Sequence, residues 1–179
     1  MTKLSKAVTF ALFSLFFGGE ALGNDEDRCD FLYVQEIAFT SLEAEDNVIL
    51  TLTGEDCASA VAQLSIFAEG FQKVFSHEVA LPALTAVDAS GIDNREAHKI
   101  AEQIWEMLGP HSTRDLEPWK APQDIYDLFD EIPALPREEY EAVRQLGKPY
   151  ICVQSYYEGA DCYWFNPQNE TQLLLKLSD

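Results

Sequence analysis

Basic residues are scarce in this chain. Its 12 lysines and arginines stand against 31 aspartates and glutamates, a formal net charge of −19. A surface that negative repels phosphate backbones and anionic headgroups, so nucleic acid and anionic membrane surfaces are disfavoured as partners. A basic protein is the partner such a charge suits, although acidic residues also serve solubility alone. Histidine is scarcer still: His77, His98 and His111 are the only three, and no two stand at H-x-x-x-H spacing. No zinc-binding or other metal-ligand set is therefore expected. The acidic stretches Asn24–Asp27 and Glu43–Asn47 lack the EF-hand spacing and read as solvated loops. The glycine motifs G-x-G-x-x-G and G-x-x-x-x-G-K-[ST] are missing, as are G-x-S-x-G and C-x-x-C. Nucleotide binding, a hydrolase elbow and a redox dithiol thus have no support, and no cofactor is expected.

One long apolar run exists, and it lies at the start. Lys3 and Lys6 precede the run Ala7–Phe17, Gly18 and Gly19 break it, and Ala21 and Gly23 supply small residues for cleavage. That order is the pattern of a secretory signal peptide over residues 1–23. The run is shorter than the ~20 residues that a membrane-spanning helix needs, and no second run approaches that length. The expected product is an exported periplasmic or extracellular protein, Asn24–Asp179. It loses two lysines and one glutamate with the leader and has no membrane span. Its length suits a single acidic globular domain. Export also gives its four cysteines, Cys29, Cys57, Cys152 and Cys162, an oxidising environment. Each of two predicted hairpins brings two of them to one place, so the expected disulfides are Cys29–Cys57 and Cys152–Cys162.

Those hairpins frame the predicted fold. Phe31–Ala38 and Val48–Thr53 read as two strands joined by a polar loop. Residues 56–75 carry Val61, Leu64, Ala68, Phe71 and Phe75 at helical spacing and predict a helix, with Gly70 inside it. Glu78–Val87 reads as a short strand, so residues 48–87 would form a β-α-β crossover. Asp93 and Glu96 form a capping-box pattern ahead of a helical face made of Ala97, Ile100, Ala101, Ile104 and Leu108. Residues 110–147 are rich in proline and acid and predict a helical insert with short helices near 123–130 and 137–146. A hairpin over 148–165 and a strand around Leu173–Leu177 complete the chain. The fold class is α+β: a single domain whose mixed β-sheet has N-terminal and C-terminal hairpins around a helical middle.

Two constellations are candidates for function. Tyr156, Tyr157, Tyr163 and Trp164 crowd the C-terminal hairpin, and successive strand residues face opposite ways. At least one aromatic of each couple should then point outward or under a loop, and outward Tyr and Trp favour binding. His98 and Glu102 lie four apart on one helical face, with Ser90 upstream as a candidate nucleophile. The leading expectation is an exported, non-enzymatic binding protein, inhibitor-like, immunity-like or an envelope interaction factor, using an acidic surface and the aromatic hairpin. The alternative is a secreted hydrolase with a dispersed His, Glu and Ser site.

Overall fold

The computed structural model describes residues 28–108, 111–121, 131–157 and 159–178. The leader and the helix expected near 123–130 fall outside these. The described residues form two antiparallel sheets and two α-helices, an α+β single-domain fold. The first sheet is a four-stranded meander of β1 (Phe31–Ile37), β2 (Asp46–Thr53), β3 (Val61–Ala68) and β4 (Gln72–Ala80), in that order. Helix α1 (Asn94–Met107) follows. The second sheet is built from β5 (His111–Ser112), β6 (Glu131–Pro133), β7 (Pro149–Tyr156), β8 (Gly159–Phe165) and β9 (Thr171–Ser178), in the order β5-β7-β8-β9-β6. Helix α2 (Arg137–Leu146) precedes β7.

Hairpins do stand at both ends, but the helix expected over 56–75 is absent. That segment is the β3–β4 hairpin. The physical reason is a two-residue period beneath the helical one. Ala62, Leu64 and Ile66 face the core of β3, while Gln63 between them is exposed. Gly70 belongs to the turn, where its φ of 77° suits the one residue without a Cβ. Asp56 does cap, but it holds a single turn, accepting from Ser59 N at 2.8 Å. No β-α-β crossover forms, and two all-antiparallel sheets replace the expected mixed one. The strand expected over 78–87 ends at Ala80, and Leu81–Leu84 form a 3-10 turn containing Pro82.

The second sheet is covered on both faces. On one, Ile151, Val153, Tyr163 and Phe165 join the first sheet and the Ala97, Ile100, Ala101 and Ile104 face of α1 in a common core. On the other, Tyr150, Cys152, Cys162, Trp164 and Leu174 pack with Leu116, Leu135, and Tyr140 and Val143 of α2. Asp93 starts α1 by accepting from Glu96 N at 2.8 Å. Cys29 is bonded to Cys57 across the open end of β1 and β2, with a Cα–Cα distance of 4.8 Å. Cys152 is bonded to Cys162, its direct partner across β7 and β8.

His77 of β4 faces Leu64 and Val153 between the two sheets, beside Gln154. Burial holds its pKa below the ordinary value, against the weaker opposing pulls of Asp161 and the Gln154 backbone. The folded chain therefore binds this proton less readily than the unfolded chain. The stability His77 contributes is present above the unfolded value of about 6.5 and is lost as pH falls below it. Urea unfolding of wild type and His77→Gln between pH 7.5 and 5 should show the wild type losing stability faster on acidification. Parallel curves would rule out this role.

Candidate binding surface

The hairpins of the first sheet place the 38–45 loop and the Glu69–Phe71 turn at the same end of the molecule, and the 166–170 turn joins them there. The three enclose a groove of about 870 Å³. Glu36, Glu43, Glu45 and Glu69 line it, and no lysine, arginine or histidine does. Each loop is held by its own polar network. Asp46 is buried at the base of the 38–45 loop, where its carboxylate accepts from Phe39 N at 3.0 Å and Thr40 N at 2.7 Å. Phe39 pins the same loop inward against Phe75 and Phe165. In the 166–170 turn, Asn166 Oδ1 accepts from the backbone N–H groups of Gln168 and Glu170, both at 3.0 Å. The rim is thus a preorganised acidic platform.

Phe71 stands on that rim. Its side chain is 86 % exposed and its φ is 63°. Consecutive left-handed residues are what hairpins ordinarily assign to Asn-Gly or Gly-Gly, and a bulky side chain there is a conformational outlier. Left-handed backbone costs an L-residue about 1–2 kcal/mol, and the exposed ring recovers little by packing. Leu42, in the neighbouring loop, is 66 % exposed. Two large apolar side chains therefore stand in water at this end, and Phe71 is the one that lines the groove with the four glutamates. Nothing in the helical reading of 56–75 flagged Phe71, because that pattern placed it on a buried face. The Gly-Phe pair at the midpoint of two alternating runs was the signal available.

The aromatic hairpin is arranged differently from expectation. Trp164 is 3 % exposed within the α2 core, and Tyr163 packs on Phe75 with ring centroids 5.0 Å apart. Trp164 is thus buried and Tyr163 half-buried. They do occupy opposite faces, but both faces of this sheet are covered, so neither needs to point outward. Tyr156 and Tyr157 are 47 % and 49 % exposed. The Tyr156 ring lies across Gly159, where a Cβ would collide with it, so much of its exposure is structural. Tyr157 borders a smaller groove of about 620 Å³ with Val87 and Glu106. Gln154 Nε2 fixes this corner by donating to Leu84 O at 3.2 Å and Tyr157 O at 2.9 Å.

Among the described residues no hydrogen bond or ion pair joins Ser90 to His98 or Glu102. His98 Nε2 lies 3.5 Å from Glu102 Oε1, and His98 Nδ1 is 2.7 Å from Tyr33 Oη. With its Nε2–H toward the carboxylate, the imidazole accepts a hydrogen bond from the phenol O–H at Nδ1 and keeps no free base position. Burial first, and Glu102 second, hold the Tyr33 pKa above its ordinary value, so the phenol stays protonated at neutral pH. Ser90 Oγ donates to Asp88 Oδ1 at 2.7 Å and closes a local turn. Among the described residues no three His, Cys, Asp or Glu side chains group to hold a metal ion. Compared with protein-family models, curated proteins and solved structures, the chain matches none.

Three substitutions separate contact from support. Trp164→Ala should cost about 3–5 kcal/mol in a denaturant titration, while Tyr157→Ala should stay within about 0.5 kcal/mol of wild type. Phe71→Asn should leave stability unchanged or raise it by about 0.5–1 kcal/mol, since asparagine tolerates the left-handed region. A clear loss of stability in Phe71→Asn would mean that the ring supports the fold.

Proposed function

We propose that this chain is an exported, non-enzymatic binding protein that holds a basic partner protein against its acidic three-turn end. The observation that carries the reading is Phe71, a large apolar side chain set in water at the rim of a groove lined by four glutamates and no cation. An aromatic anchor within a ring of like charge fits a partner with an apolar cleft and a positive rim. Burial of the anchor would supply affinity, and the carboxylates would supply orientation and rate of encounter. An inhibitor, an immunity-type protein or an envelope interaction factor would act in this way. Export is supported by the leader pattern of residues 1–23 and by the two disulfides. No helix among the described residues is long and apolar enough to cross a membrane.

The test is capture from the native secreted or envelope fraction by tagged wild type, Phe71→Asn and Tyr157→Ala. Wild type and Tyr157→Ala should retain the same stoichiometric protein of high isoelectric point, released by moderate salt. Phe71→Asn should retain little of it. Capture that ignores Phe71→Asn, or a captured protein without basic character, would reject the assignment.

A further inference from the structure

A second surface has the opposite electrical character. Arg28, Arg95 and Lys99, three of only 12 basic residues in the chain, line a pocket of about 450 Å³ between the start of β1 and the first turns of α1. His98, Asp30 and Phe31 share its lining. Two of the cations have partners: Arg28 Nε is 3.1 Å from Asp30 Oδ2, and Lys99 Nζ is 2.9 Å from Glu96 Oε2. Arg95 makes no ion pair or hydrogen bond among the described residues, in a chain with 31 carboxylate side chains. Its planar guanidinium offers two parallel N–H donors, the fork that matches a carboxylate. The pocket also has an aromatic wall, with the rings of Phe31 and His98 5.6 Å apart between centroids.

We propose that this pocket binds a small organic carboxylate, with the carboxylate on Arg95, Lys99 beside it, and a flat apolar body against Phe31. A singly charged ligand is favoured over a phosphate. The field of a chain with net charge −19 opposes each added negative charge, and Asp30, Glu96 and Glu102 stand near the pocket. The site is separate from the acidic three-turn end, and neither assignment depends on the other.

The experiment is a titration of the disulfide-intact chain with benzoate, its neutral analogue benzamide, and inorganic phosphate, followed by amide chemical shifts in wild type and Arg95→Gln. Arg95 is exposed, so its replacement should leave the fold intact. The expected result is saturable binding of benzoate, with shifts at residues 28–31 and 94–99. The affinity should fall about tenfold or more in Arg95→Gln, with benzamide and phosphate weaker by a similar factor. The proposal is overturned by the absence of saturable benzoate binding, by shifts centred elsewhere, or by an unchanged affinity in Arg95→Gln. Equal binding of benzamide or phosphate overturns it too.

Discussion

The second sheet is covered on both faces, and the rest of the structure depends on that constraint. Strands β7 and β8 place every alternate side chain in one core and the intervening ones in another, so almost no position on β7 is free to be polar. Tyr150, Ile151, Cys152 and Val153 are consecutive and all buried. Burying a large aliphatic or aromatic side chain contributes about 1.5–3 kcal/mol, so this strand pair anchors the first sheet and α1 on one side and α2 on the other. The Cys152–Cys162 bond ties the two strands where they face the α2 core. The first sheet is thereby presented as a one-sided layer, and its turns are left at the far end to carry the acidic groove.

Local chemistry made part of this legible from sequence. The cap at Asp93, the stripe Ala97–Ile100–Ala101–Ile104 and the helix over 137–146 closed by Gly147 all follow from side chains within one or two turns. The strands at both ends follow from period-two alternation. What the sequence concealed depends on distant segments. A run such as Val61–Phe75 satisfies two periods, and only its pairing with β2 selects the extended one. At least one of Tyr163 and Trp164 reads as leaving the core because a strand has two faces, and covering both takes α2, which lies before the hairpin in the chain. The carboxylates of the candidate site were visible as composition, but their assembly around Phe71 required the register of two hairpins.

Electrostatics divides the molecule further. The surplus of acid is not spread evenly in its consequences. Most carboxylates stand in water, where charge favours solubility and costs little. At the three-turn end Glu36, Glu43, Glu45 and Glu69 instead surround a groove beside exposed apolar side chains. Like charges gathered there oppose one another, and left-handed backbone at Phe71 costs an L-residue about 1–2 kcal/mol. The buried Asp46 carboxylate holds the base of the 38–45 loop at that rim through Phe39 N, Thr40 N and Thr40 Oγ1.

The proposed role places a basic partner on this rim. The most direct measurement is an amide-shift or hydrogen-exchange map of the chain during titration with a cationic peptide that carries one apolar segment. A partner on the rim should concentrate changes at residues 38–45, 69–72 and 166–170, diminishing as salt is raised. Changes centred on residues 154–159, or spread evenly over the acidic surface, would contradict it.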